Sequence, residues 1–351
     1  MKERGKNMRR FLFGITSPLI ALALASCGSE AGPAGAQGEA GPPGAEGRPG
    51  SAGDAGPQGP PGNPGGGGGG GDLELPGPTF YPESLSPAKD GSLFVGSLGG
   101  LGIVKFDPGS SKAKTFVAGT GKGVSGVFVA DSQNLLYACE VDLGTRASTV
   151  RSFDLATGAP KTSYPFPGVG FCNDFTLDAG DNLYVTDSVG KILRLAKGGA
   201  ALTVWSSEAK LAPPTPDGFG VNGIAFDGAS NLFVNTYTNG DIIRIPIQGD
   251  GTAGTSVTLT SPNRIVTPDG MRMVDATTLI VVEGVIGRLT RLKITGNTIA
   301  TTTLANRLEG PTSVVQSGGS YLVSEGQLSQ LFAGDPPNPR VPFLIRRFSI
   351  Q

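Results

Sequence analysis

Asn173, Asn222 and Asp269 hold one position in three variants of a short sequence: "CNDFTLDAGDNLYVT", "VNGIAFDGASNLFVN" and "PDGMRMVDATTLIVV". Each residue precedes a run of strand-forming side chains. Extending the alignment along the chain gives six occupants of this slot, in order Glu83, Ser125, Asn173, Asn222, Asp269 and Thr312. Every one carries a side-chain oxygen, and none is histidine or cysteine. Two carboxylates and two amides make a hard, weakly anionic donor set, which suits Ca²⁺ first and Mg²⁺ or Mn²⁺ after it. Asn-Gly and Asp-Gly are also ordinary turn dipeptides, so each residue taken singly reads as a turn. Three features favour a ligand role: the oxygen persists six times, a glycine after Asn222 and Asp269 allows close backbone approach, and the charge is uneven around the set.

Other chemistry is excluded by composition. The 351 residues include no histidine. A Ser-His-Asp triad, a Cys-His pair, a histidine base and a histidine-ligated zinc are therefore ruled out. The net charge is -1 and no basic tract follows the first residues, which argues against nucleic acid as a partner. Glu140, Asp187, Glu283 and Glu325 end strand motifs of the "NLYVTD" type and read as loop anchors; Pro216-Asp217-Gly218 reads as a turn. Cys139 and Cys172 fall in adjacent repeat units near one face, as a disulfide or as two buried thiols.

The elements that must position the slot come from an internal repeat. Strand motifs centred on Phe94, Tyr137, Tyr184, Phe233, Ile280 and Leu322 recur at spacings of 43, 47, 49, 47 and 42 residues. Each is preceded by one strand-like run and followed by one or two more. Four short strands per unit, six times over, predict an all-β fold, a six-bladed β-propeller with four-stranded blades over 72–351. Blade six ends the chain on its third strand, so the N-terminal "LELPGPTF" is expected to supply its fourth and close the ring, removing exposed sheet edges. A solenoid would want caps and a shorter repeat. Each third strand carries one basic residue (Lys105, Arg151, Arg194, Arg244, Arg291 and Arg346), read as blade-surface or interblade charges because all six units have one.

The first 71 residues differ in kind. Five basic residues up to Arg10 precede an apolar stretch from Phe11 to Ala25, too short for a spanning helix of about 20 residues. It closes on Leu24-Ala25-Ser26-Cys27, which resembles the lipobox of bacterial lipoproteins. The resemblance implies a signal peptide over 1–26, lipidation of Cys27 and anchoring in the cell envelope; Gly28 after the cysteine favours the outer membrane. Over 27–71, glycine then occupies every third position from Gly32 to Gly65, with proline frequent between. This is collagen-like sequence, and a polyproline-type rod of that length would reach roughly 100 Å. A polyglycine joint follows. The segment reads as a stalk, as a monomer or a homotrimer.

The propeller sequence itself is similar to the senescence-marker-protein/gluconolactonase (regucalcin-like) family, over roughly 80 to 350. "CNDFTLDAGDNLYVTD", "VNGIAFDGASNLFVN" and "PDGMRMVD" carry the likeness, in that order. The resemblance implies a divalent cation (Ca²⁺, with Mg²⁺, Mn²⁺ or Zn²⁺ as alternatives) held in the channel mouth by Glu83, Asn222 and Asp269. It implies substrate contact by Asn173, and lactone hydrolysis with Asp269 as the catalytic residue that helps remove a proton. Two departures stand out. The first motif is "PESLSP" rather than Glu-Gly-Pro, and Phe171 replaces a substrate-binding arginine, which weakens the case for sugar acids. Two functional expectations follow: a surface-anchored hydrolase of a small lactone or ester, and a non-enzymatic propeller displayed on its stalk to bind an envelope ligand.

Overall fold

The structure, a computed structural model, describes residues 71–216, 218–332 and 337–350. The expected signal peptide, lipidated Cys27, collagen-like stalk and Asp217 lie outside these residues. Six antiparallel sheets of four strands follow one another along the chain. Their inner strands are Pro82–Pro87, Gly123–Ala130, Cys172–Leu177, Val221–Phe226, Pro268–Asp275 and Pro311–Ser317. The ring closes as expected: Leu73–Glu74 pairs with Leu344–Ser349 as the outermost strand of blade six, and blade six meets blade one through Thr312 and Ser313.

Burial falls from the axis outward. The inner strand of blade three is buried except at its end, whereas the outermost strand of blade one, Ala113–Ala118, is half-buried or exposed throughout. The apolar side chains between blades form the core; Leu85, Val127, Phe175, Ile224, Met271 and Val314 are fully buried, one from each inner strand. Apolar–polar alternation in the inner strands does not mark a solvent face, because their polar side chains meet a neighbouring blade or the channel.

In all six blades the pairing of inner with second strand shifts register at the slot. Such a bulge leaves residues unpaired and re-aims their side chains. The recurring position is therefore a conformational feature of the repeat, with its identity left open to each blade.

The charges on the third strands are spent in several ways. Arg151 binds Glu140 at 3.1 Å and lies over the Phe153 ring. Arg244 reaches the next blade, donating to the Gly296 carbonyl at 3.0 Å. Lys105 sits over Phe94 and Phe116, and Arg346 pairs with Asp72 and Glu325.

Candidate functional site at the channel mouth

The slot residues divide by what their oxygens do. Ser125 Oγ donates to the Cys172 carbonyl at 2.6 Å, and Thr312 Oγ1 to the Pro82 carbonyl at 3.0 Å. Each acceptor is the residue just before the slot of the following blade, so these hydroxyls stitch blade two to three and blade six to one. Blades three and four make the equivalent stitch from their second strands. Thr186 Oγ1 donates to the Asn222 carbonyl at 2.5 Å, and Asn235 Nδ2 to the Asp269 carbonyl at 2.6 Å. Asn173 and Asn222 are thereby released from joining blades. The Asn173 amide donates to Ser188 Oγ at 3.3 Å, while the buried Asn222 Oδ1 accepts no hydrogen bond.

The glycines after the slot serve the ring rather than a ligand, contrary to the sequence expectation. A Cβ on Gly223 would lie 2.6 Å from the Asp269 carbonyl oxygen of the next blade, and one on Gly270 would lie 2.7 Å from the Ser313 Cα. Gly126 faces the Asn173 carbonyl in the same way. At these three junctions only a residue without a side chain lets the inner strands approach this closely.

Glu83 and Asp269 are both buried, at 6% exposure each. Burial is the main cause pushing the Glu83 carboxyl well above the usual carboxylate range, followed by repulsion from Asp269 and Asp174, with Arg272 pulling it down. Asp269 is raised likewise, first by burial and then by Asp174, against hydrogen bonds from Asn222 and the Gly270 N–H. Glu83, Asp174 and Asp269, from blades one, three and five, are near enough for their charges to act on one another, and Asn222 hydrogen-bonds Asp269.

Two members of this site stand outside the recurring slot that the sequence alignment selects. Asp174 follows the slot in blade three, where the other blades have serine or glycine. Arg272 lies three residues past the slot in blade five, where the other blades have Ser86, Phe128, Thr176, Ala225 and Val315. Arg272 binds both Asp174 oxygens, at 2.5 and 2.9 Å. Asp174 also accepts the Phe175 N–H at 2.8 Å and the Ile224 N–H at 3.3 Å. The breach of the repeat at both positions was the available signal.

An aromatic wall stands beside the carboxylates. Phe171 and Phe219 meet edge to face at 5.2 Å, and Phe219 meets Tyr237 at 6.2 Å. Burial, then the Asp269 charge, holds the Tyr237 hydroxyl protonated beyond its ordinary range. A Cβ on Gly284 would lie 3.8 Å from the Tyr237 hydroxyl and 3.9 Å from an Asp269 oxygen, so the phenol and the carboxylate flank one small gap.

The acids at second-strand exits anchor loops. Asp187 accepts the Phe171 N–H at 2.8 Å. Glu283 accepts the Val266 N–H and two Arg288 donors, each at 2.7 Å. Glu325 accepts the Glu309 N–H at 2.9 Å. Cys139 and Cys172 are joined by a disulfide, with Cα atoms 5.4 Å apart, fastening blade two to the strand that carries Asn173.

A hard divalent cation asks for oxygen donors and compensating negative charge. Among the described residues, no three His, Cys, Asp or Glu side chains form a metal-holding group by themselves, so a cation here would need an amide oxygen. Asn222 Oδ1 is such an oxygen, buried and without a donor. When ionised, Glu83, Asp174 and Asp269 against Arg272 leave two negative charges, which a divalent ion balances. The residues fit the ion.

No protein-family model matches the chain, and no curated protein sequence does. Solved structures share its fold. A luciferin-regenerating enzyme aligns with a TM-score of 0.58 and 14% identity, over 80% of this chain and 93% of its own. A catalytically inactive histidine-to-alanine variant of virginiamycin B lyase from Staphylococcus aureus, with quinupristin, aligns at 0.54 and 16%, over 79% and 83%. A nidogen/laminin complex aligns at 0.53 and 19%, over 66% and 84%. At these identities the likeness is one of fold: the chain is a six-bladed propeller whose neighbours include enzymes and a binding complex.

Proposed function

We propose that the channel mouth binds a divalent cation, Ca²⁺ foremost, through Glu83, Asn222 and Asp269, and hydrolyses a lactone or related ester, as the gluconolactonase-like sequence pattern implies. The observation that carries this reading is the Asn222 oxygen, buried without a donor beside two buried carboxyls that repel each other. A bound cation would polarise the ester carbonyl and acidify a water. Asp269 would be the residue that helps remove a proton in such a reaction, as the gluconolactonase-like pattern implies. Asn173 orients the substrate at the margin of the mouth, and Arg272 holds Asp174 fixed by a paired hydrogen bond. The lyase neighbour is inactive when one histidine becomes alanine; this chain has no histidine, so that chemistry is not the one proposed.

The propeller is further proposed to stand at the bacterial cell envelope, anchored through lipid on Cys27 and carried on the collagen-like stalk, as a monomer or homotrimer. The Cys139–Cys172 bond supports an oxidising compartment. Full-length protein should open members of a lactone panel with Ca²⁺, Mn²⁺ or Zn²⁺ present, and lose the activity on chelation and in Asp269→Ala. Activity persisting through both would overturn the mechanism. A binding module is the second reading, favoured by exposed apolar residues on the mouth face, such as Val285 at 74%. It predicts retention on envelope fractions that does not depend on Asp269.

A further inference from the structure

A cavity of about 530 Å³ lies on the outer half of blade five. Its walls are residues 262–264 of the connection from blade four, 288 and 290 of the third strand, and 301 and 303 of the fourth. All of them fall within the unbroken described stretch 218–332. The volume is within the range of small-molecule sites. Among these described residues Pro262 is the only apolar one and none is acidic; two are arginines, and the others carry a hydroxyl or an amide.

One buried carboxylate organises the walls. Glu283, with no exposure, accepts Arg288 Nε and Nη2 and the Val266 N–H, each at 2.7 Å, and the Thr290 hydroxyl at 2.5 Å. It therefore fixes both the guanidinium of the third strand and the segment that carries Arg264. Further out, the Thr260 N–H donates to the Asn297 carbonyl and the Ile299 N–H to the Thr260 carbonyl, both at 2.8 Å. The Asn263 amide donates to the Thr301 hydroxyl at 2.9 Å. Thr290 and Thr303 are cross-strand partners, and alternation along each strand puts Arg288 and Thr301 on the same face of the sheet as these two.

Hydrogen-bond donors dominate this lining. Glu283 takes two of the five N–H donors of Arg288, which leaves three. Thr301 accepts from Asn263, so its own O–H is free to donate. Arg288 is paired with Glu283, whereas the exposed Arg264 adds a positive charge that no carboxylate of the described walls balances. Guanidinium forks match the paired oxygens of carboxylates and phosphates, and hydroxyl and amide groups match hydroxyls. An alkyl chain would meet only Pro262.

We propose that this cavity binds a small oxyanion carried on a hydroxylated compound, such as a sugar carboxylate or sugar phosphate. The oxyanion meets Arg264 and Arg288, and the hydroxyls meet Asn263, Thr301 and Thr303. The site uses no residue of the channel mouth and stands whether or not the mouth hydrolyses a lactone. Its test is calorimetry on cation-stripped full-length protein with galactose, galacturonate, galactose 6-phosphate and inorganic phosphate.

At least one of the two sugar anions should bind at one site per chain, about tenfold to a hundredfold tighter than galactose, and weaken as salt is added. Arg264→Met should abolish that advantage, and Arg264→Lys should restore only part of it, because lysine brings the charge without the fork. Both changes fall on an exposed side chain and leave the Glu283 cluster intact. Thr303→Val should weaken the sugar anion by about twofold to tenfold. Binding of neither sugar anion above galactose, or equal binding by wild type and Arg264→Met, would overturn the site. Inorganic phosphate bound as tightly as galactose 6-phosphate would overturn the hydroxylated carrier.

Discussion

Blades two and six present hydroxyls at the slot, and blades one, four and five present carboxylates or an amide, on the same bulged backbone. Ser125 and Thr312 use their oxygens to bind the next blade's carbonyl. Asn222 leaves its oxygen without a partner, because Asn235, from the second strand, already joins blade four to blade five. The difference lies in the hydrogen-bond account rather than in residue type. A buried polar atom that closes no structural bond is costly to keep, and in the function proposed above a cation would be the partner of the Asn222 oxygen.

Arg272 gives the largest way to break this contrast. Removing it as Arg272→Met leaves Asp174 buried beside two further carboxyls, and should cost about 3–5 kcal/mol in a urea titration. Adding Asp174→Asn should recover most of that loss; independent, additive costs would deny the pairing. The disulfide comes next. Replacing both cysteines by alanine opens a loop of 33 residues' separation and should cost about 3–4 kcal/mol by loop entropy, measured the same way. The stitches are smaller. Ser125→Ala and Thr312→Val should each cost about 1–2 kcal/mol while leaving calcium binding intact, and loss of binding in either would erase the distinction between the two kinds of slot.

The pH response sharpens the comparison on the carboxylate side. Glu83 and Asp269 hold protons more tightly in the folded chain than in the unfolded one. Their contribution therefore favours folding below the ordinary carboxyl value of about 4 and is lost as pH rises through their raised folded-state values. The cation-free chain should become easier to unfold with urea across that rise. Asp269→Asn should reduce the slope, and added calcium should restore stability near neutrality. A stability that climbs with pH in the cation-free wild type would contradict the repulsion among these groups.

Much of the ring was legible because the repeat is periodic in strand-forming residues: one centre per second strand, one oxygen-bearing residue per inner strand. Closure by Leu73–Glu74 followed from blade six lacking a strand. The site was legible only in part. Alignment selects what recurs, so it found Glu83, Asn222 and Asp269 together with Ser125 and Thr312, and could not tell free oxygens from bonded ones. That separation depends on Thr186 and Asn235, which lie in another strand and contact another blade. Asp174 and Arg272 were passed over for the opposite reason, since each is an exception at its position, and their pairing spans 98 residues. The glycines after the slot looked like access for a ligand; the neighbouring inner strand fills that space.

Calcium titration of the cation-stripped full-length chain, wild type beside Asn222→Ala, reaches the central claim most directly. The account predicts one tight site per chain in the wild type, its loss in Asn222→Ala, and a cation-free urea stability in that variant lowered by no more than about 1–2 kcal/mol, the cost of the hydrogen bond it loses to Asp269. No site in the wild type, or equal binding by both proteins, would contradict it.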